Sequence, residues 1–376
     1  MVVDTVSADH GPVAHVDLAA LRHNVAALRA RLAPGTQMLA AVKADASGHG
    51  AAAVAPALQS FGVDRFGVAT AEEALALRAA GVTAPVLVFG PVFGRIAELV
   101  AADVALTVPD EAALRALETA RPSERAAVHV KVDTGMGRIG TRAEEALALA
   151  RAVARSPAAE LQGVWTHLAD SDDPHAADEA SHTGRQLARF TQAVAALAAD
   201  GLRPPLVHAA NSAATLVLPA SHHDMVRPGI AIYGHHASPS VRAAASELVP
   251  VLTLRSPVTF VKRVRRGDTL GYGASWTAPA DTVIATIRLG YADGYPRSLG
   301  NVATMRLHGR DVAVVGRVCM DQLMLDVGTV DGVAVGDDVT VFGPHGPDTE
   351  ALAGLAGTVS YELLTRLGAR IARRYA

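Results

Sequence analysis

Cysteine is almost missing from this chain: Cys319 is the only one in 376 residues. That excludes an intramolecular disulfide framework and a zinc site built from several thiolates. Long apolar runs are missing as well. Stretches such as Val104–Val108 fall far short of the ~20 residues that a membrane-crossing helix needs. The opening MVVDTVSADHGPV has no basic region followed by an apolar run, so no signal peptide is expected, and the cytoplasm is the expected compartment. A strong charge of either sign is lacking. The net charge of −3 gives no electrostatic basis for binding nucleic acid or an anionic membrane. No GxGxxG follows the first apolar run, and no Walker-type phosphate loop occurs.

Lysine is the other scarce residue. Of 34 basic residues only Lys43, Lys131 and Lys262 are lysines. Arginine serves for surface charge, but its guanidinium stays protonated, whereas an amine can lose its proton and attack a carbonyl. Base composition could produce the same bias.

What is present suits a large folded chain. Half the residues are hydrophobic and 19% are charged, and the length favours two domains. The first two-thirds alternates apolar runs with amphipathic ones. Strands are predicted to end near Val16, Lys43, Thr70, Gly90, Val108, Asp133, His167 and Asn211. Helices are predicted for LAALRHNVAALRARL, AEEALALRAAG with Gly81 as its cap, DEAALRALETA, AEEALALARAVAR and TGRQLARFTQAVAALAADG. About eight strand–helix units predict an α/β fold, a (β/α)₈ TIM-like barrel over 13–240, with a doubly wound sheet as the alternative. From 241 to 376 the runs are short, alternating and broken by glycine, which predicts a mainly-β domain closed by a helix over YELLTRLGARIARRY. Residues 1–12 read as a tail or an extra edge strand. No serine- or proline-rich linker separates the two domains.

Lys43 ends the run QMLAAVK and opens a glycine-bearing turn. Strand ends form the active-site face of a barrel. A lysine set deep there has a lowered pKa, because desolvation penalises the cation, and its free amine can attack an aldehyde. A strand-end lysine reaching water fits the same pattern. Ser212, in NSAAT, reads equally as a helix N-cap. Met320 reads as core filler, and Tyr272 as a residue flanking a turn.

A set of nine segments resembles the alanine racemase family. AAVKADASGHG is similar to its pyridoxal-phosphate lysine motif. The likeness continues through VKVDTGMGRIG at 130–140, WTHLADSD at 165–172, HAANSAAT at 208–215 and VRPGIAIYG at 226–234. It resumes with LGYGASW at 270–276, RLGYADGYPR at 288–297, VGRVCMDQ at 315–322 and TVSYELL at 358–364. The resemblance implies a (β/α)₈ barrel followed by a C-terminal β domain, and interconversion of L- and D-alanine with pyridoxal 5'-phosphate as cofactor. It implies Lys43 and Tyr272 as bases on opposite faces of the cofactor, with Arg138 and His167 polarising the phenol. A tyrosine needs such cationic help, because its ordinary pKa of ~10 makes it a poor base. Arg227 then faces the pyridine nitrogen, and Ser212, the amides of Gly229 and Ile230, and Tyr361 hold the phosphate. Tyr291, Met320 and Asp321 line the substrate pocket. The site is shared across a head-to-tail homodimer, so Tyr272, Met320 and Asp321 come from the other chain. Lys131 matches a position that is carbamylated in many members and there orients Arg138. The partner is a small amino-acid substrate; no nucleic acid, membrane or metal is expected. The adjacent pairs His222–His223 and His235–His236 would point oppositely if extended.

One departure stands out. Where the family usually has a tyrosine that touches the phosphate, this chain has Ser47. Serine is too short for that contact, which predicts weaker cofactor binding or an altered substrate preference. Two alternatives remain at this stage: a racemase of another small amino acid such as serine, and a non-catalytic cofactor carrier. A decarboxylase on a similar barrel would release carbon dioxide.

Overall fold

The computed structural model describes residues 11–376. The chain divides into two units, residues 21–249 and residues up to 20 together with 250–376.

The first unit is a parallel barrel. Its strands follow the order Met225–Val226, Gln37–Ala41, Arg65–Val68, Val86–Val88, Val104–Val108, Ala126–Asp133, Ala159–Trp165 and Leu206–His208. The ends of this path meet: Asp224 N donates to Val207 O at 3.0 Å and Arg227 N to Ala210 O at 3.0 Å. Leu39, Leu87, Ala105 and Met225 form one buried cluster with Phe89 and Ala127. Leu39 and Met225 come from one neighbouring pair of strands and Leu87 and Ala105 from another, with Arg65–Val68 between the two pairs, so the pairs meet inside the lumen and fill it. Gly67 makes the room, since a Cβ there would lie 2.1 Å from the Phe89 ring and 2.6 Å from Leu39.

The outer helices follow their caps and apolar stripes. Asp110 accepts from Ala113 N at 2.8 Å and starts Glu111–Ala120, which buries Ala113, Leu114 and Leu117 along one face. Thr70 starts Ala71–Ala79 by accepting from Glu73 N at 3.3 Å; Gly81, with φ +85°, follows its end.

The second unit is an antiparallel barrel-like sheet. Leu252–Val264 pairs with Asp338–Phe342 on one side and Thr282–Ile287 on the other, and Leu323–Asp326, Arg310–Val315 and Thr304–Leu307 complete the circuit. Two elements differ from the sequence expectation. Val13–Val16, counted there as the first barrel strand, pairs antiparallel with Leu252–Val264 in this sheet. The eighth barrel strand is instead Met225–Val226. The terminal segment is only partly helical: Ser360–Thr365 is a helix, but Ala372–Tyr375 is a strand parallel to Val13–Val16. The expected helix ran on through ARIARRY, yet the strand gains a ladder beside Val13–Val16. The reading of 1–12 as a tail or edge strand falls mostly outside the described residues.

Candidate active site

Lys43 stands two residues past Gln37–Ala41, at the carboxyl end of its strand, where barrel sites are built. The backbone beyond it is unusual. Ala44, Asp45, Ala46 and Ser47 all have φ between 52° and 54°, a single left-handed turn with no glycine in it. Each such residue costs ~1–2 kcal/mol for an L-amino acid, so the surroundings must hold the turn. Glu73 does so with one oxygen, accepting from Ala44 N at 2.7 Å, while its other oxygen accepts from Ala69 N at 2.7 Å and fixes the carboxylate. Asp45 Oδ1 accepts from Ala51 N at 2.7 Å. His49 Nδ1 donates to Ala46 O at 2.9 Å, and its ring stacks on buried Tyr233 at 4.3 Å. Strain held this firmly beside a reactive side chain is typical of functional sites.

The electrostatics around Lys43 favour the free amine. Desolvation, then the cation of Arg138, lower its pKa, with Glu73 opposing. Surface area counts the residue as exposed, which describes access; the desolvation reflects the protein packed around its charge. Arg138 lies on the exposed loop after Ala126–Asp133, which Asp133 Oδ1 ties down by accepting from Gly135 N at 2.9 Å and Gly137 N at 3.1 Å.

Deeper in the barrel, Lys131 is 1% exposed, with Nζ 4.7 Å above the Trp165 ring and donating to Val132 O at 2.8 Å. Burial first, with Arg227 and Arg138 adding repulsion, pushes its amine down to about 7. Arg227 is 4% exposed. Its Nη2 donates to Thr166 O at 2.8 Å and Ala209 O at 2.9 Å, its Nη1 to His208 Nδ1 at 3.0 Å, and its Cζ sits 4.8 Å over Trp165. Burial lowers its pKa to about 9, which still leaves it a cation at neutral pH. His167 Nδ1 lies 3.5 Å from Arg227 Nη2, and burial with the surrounding cations holds this imidazole well below its ordinary value, hence neutral.

Ser212 sits 8% exposed at the first position of the helix Ser212–Val217. The N-cap is its neighbour Asn211, whose Oδ1 accepts from Ala214 N at 3.1 Å. Ser212 Oγ instead accepts from Gly229 N at 2.8 Å and Ala231 N at 3.4 Å. Ile230 opens the turn Ile230–Tyr233, so its N–H is one that a helical start leaves unpaired within the turn. Lys43, Lys131, Arg138, His167, Ser212, Arg227, Gly229 and Ile230 therefore all belong to residues 21–249.

The other expected residues belong to the second unit, where three loops are sewn together. Tyr291 N donates to Cys319 O at 3.1 Å and Ala292 N to Met320 O at 3.0 Å. A Cβ on Gly290 would lie 2.1 Å from Met320 O, so only glycine permits the approach. Arg370 bolts the pair, with Nε 2.9 Å from Asp293 and Nη1 2.7 Å from Asp321. Tyr272 is on the turn Tyr272–Ala274, packed beside Arg317. Tyr272, Tyr291 and Met320 are 70%, 43% and 53% exposed. Tyr361 lies on Ser360–Thr365.

Family models cover nearly the whole chain. The alanine racemase N-terminal domain matches residues 16–237 and the alanine racemase C-terminal domain residues 251–375. The chain belongs to the alanine racemase family. The alanine racemase of Desulfovibrio desulfuricans is 42% identical over 375 residues, covering 98% of this chain and 99% of that one. That of Symbiobacterium thermophilum is 43% identical over 368 residues, covering 96% of each. Among solved structures, alanine racemase from D-cycloserine producing Streptomyces lavendulae gives a TM-score of 0.90 at 36% identity, covering 98% of this chain and 97% of that one. The Bacillus anthracis enzyme with bound L-Ala-P gives 0.90 at 34% identity, covering 98% and 95%. Alanine racemases are isomerases, and the expected fold, a barrel with a β domain, is the one found.

Several residues of this racemase escaped the sequence reading. Glu73 was read only as a helix residue. Gln186, fully buried on His182–Ala199, donates to His167 O at 3.1 Å and accepts from Ala169 N at 2.8 Å, and so fixes the loop bearing His167. His129 had a usable signal: strand alternation puts it on the same face as Lys131, two residues on. No helix among the described residues is long and apolar enough to cross a membrane, and no cluster of three metal-ligating side chains occurs among them.

Proposed function

We propose that this alanine racemase interconverts L- and D-alanine, with pyridoxal 5'-phosphate bound through Lys43 and with Lys43 and Tyr272 as its two bases. The observation that carries the reading is the strained turn that presents a Lys43 amine of lowered pKa at the mouth of the barrel. The residues fit the cofactor. Arg227 Nε–H has no acceptor among the described residues, which leaves it for a ring nitrogen. Ser212 Oγ already accepts two amides, which leaves its own proton for a phosphate oxygen. Of the two expected amides, that of Gly229 is already given to Ser212 Oγ, which leaves that of Ile230, and a Cβ on Gly229 would meet nothing closer than 3.4 Å. When bound, pyridoxal phosphate supplies an electron sink that acidifies the substrate's α-proton.

The chain's own residues then divide the work. Lys43 takes or returns the α-proton on one face, and Tyr272 of the partner subunit does so on the other. A head-to-tail homodimer would cover the exposed Tyr272, Tyr291 and Met320, with Met320 and Asp321 of the partner subunit beside the substrate. Arg227 stays cationic and opposes protonation of the ring nitrogen. That weakens the sink and favours simple proton exchange. Loss of optical rotation from L-alanine tests the activity. A panel of L-amino acids resolved by chiral chromatography tests the substrate: faster racemisation of serine would replace alanine, and bound cofactor without turnover would make the chain a carrier.

Lys131 carries a second expectation. An amine with pKa about 7 is mostly neutral at pH 8. It can attack carbon dioxide, forming the N–C bond of a carbamate and releasing one proton. That anion would orient Arg138. With ¹³C-bicarbonate at pH 8, one carbamate signal is expected in wild type and none in Lys131→Ala; no signal in wild type rejects the modification.

Ser47 carries a third. Its backbone is left-handed, a conformation that a tyrosine there would also have to hold. A phenol donating to phosphate is a charge-assisted hydrogen bond, and Ser47→Tyr is expected to bind cofactor about tenfold tighter. Equal dissociation constants by absorbance titration reject it.

A further inference from the structure

Three buried side chains form a relay in the barrel lumen. Arg227 Nη1 lies 3.0 Å from His208 Nδ1, and His208 Nε2 lies 2.9 Å from His129 Nδ1. The direction of every bond follows from Arg227, which has donors only. His208 Nδ1 must accept, so in a neutral imidazole the proton is on Nε2. That Nε2–H donates to His129 Nδ1, and the proton of His129 is therefore on its own Nε2. Neutrality is secure for both rings. His129 is 1% and His208 0% exposed, and burial, with Arg65 and Arg227 nearby, lowers both, His129 to about 3.

The far end of the relay is what calls for an explanation. His129 Nε2–H is buried and has no acceptor among the described residues. A leucine would fill similar space without an unpaired donor, so packing alone does not explain an imidazole here. The fold also makes room for the ring. A Cβ on Gly163 would lie 2.1 Å from His129 Nδ1, and the ladder between Ala126–Asp133 and Ala159–Trp165 shifts register at His129. His208 is further clamped by stacking on Trp165, the rings parallel within 2° at 5.7 Å.

We propose that His129 is a positioning residue: by accepting from His208 Nε2–H it anchors the His208 ring in the orientation whose Nδ1 lone pair aims Arg227. The inference deepens the proposed function and rests on Arg227 facing the cofactor ring. Without the His129 acceptor, Arg227 still requires His208 Nδ1 to accept, so the His208 Nε2–H is left buried and unpaired. The ring relieves that cost by tilting, and the Nη1 edge of the guanidinium loses its fixed anchor. The Nη2 contacts to Thr166 and Ala209 remain, so Arg227 is misaimed rather than released.

The test is ¹⁵N NMR of histidine-labelled holoenzyme together with kinetics. Wild type is expected to show His208 protonated at Nε2. His129→Leu should shift the His208 Nε2–H resonances to those of an unbonded N–H and lower kcat about tenfold, with KM changed less than about threefold. His129→Gln keeps an acceptor in its carboxamide oxygen and should restore the hydrogen-bonded resonance and most of kcat. Unchanged His208 Nε2–H resonances in His129→Leu, or equal loss of kcat in the Gln and Leu variants, overturns the proposal. Should the Leu variant not fold, wild type decides: His208 protonated at Nδ1 overturns it. The tautomer is read equally in cofactor-free protein, whereas absence of visible cofactor absorption in loaded wild type would sink the cofactor reading alone.

Discussion

Lys43→Ala is expected to lower racemisation by ~10⁴-fold or more and to remove the visible absorption of bound cofactor. Three functions meet in that one amine: covalent attachment, release, and proton transfer on one face. None of them survives in a methyl group. Lys43→Arg separates charge from chemistry. It keeps a cation beside Glu73 but offers no nucleophile, so it is expected to be as inactive as the alanine variant. The pH dependence has a definite sign. Desolvation and Arg138 lower the Lys43 pKa, so the neutral amine prevails from a lower pH than the ~10.4 of a free lysine. The acidic limb of kcat, which reports the substrate complex in which Lys43 is released, should fall correspondingly lower, and replacing Arg138 by methionine should move it upward. Retained turnover or retained visible absorption in either Lys43 variant removes that lysine from its role.

The features that make this site work were unequally visible in the sequence. Chemistry was legible because it is carried by residue identity: a lysine ending an apolar run, and motifs in one order along the chain. Conformation was not. ADAS contains no glycine, so nothing in it announces four successive positive φ values. The turn is held because Glu73, from the next strand–helix unit, reaches back to the amide of Ala44, and such a contact has no local signature. The barrel count shows the same limit. Met225–Val226 is two residues long and has no alternation to detect, whereas Val13–Val16 has the alternation of a strand and was assigned to the nearest sheet in sequence. Which sheet a strand joins is decided by ladders formed with residues more than two hundred positions away. His129 falls between these cases. Its alternation with Lys131 was readable, but its partner His208 lies on a distant strand, and only the closed barrel puts the two rings together.

Tyr272→Phe is expected to slow racemisation by ~10²- to 10⁴-fold, the usual worth of a positioned proton-transfer group. The substitution removes one hydroxyl from a 70% exposed side chain and leaves its turn intact. Gly271 and Gly273, at φ 72° and 73°, fix that turn beside Arg317, and neither is touched. Steady-state turnover cannot by itself show which face is damaged. L- and D-alanine are equal in free energy, so kcat/KM in the two directions must fall together whatever the mechanism. Proton exchange escapes that constraint. If Lys43 serves one face and Tyr272 the other, the variant still lifts the α-proton of one enantiomer with Lys43 and returns it from the same side. That enantiomer should lose its α-deuterium to water without inverting, while its mirror image neither exchanges nor inverts at a comparable rate. Deuterium loss from the two enantiomers, followed separately by NMR in single-turnover conditions, measures the difference. Equal loss from both would mean that one group serves both faces, and the two-base arrangement would fail.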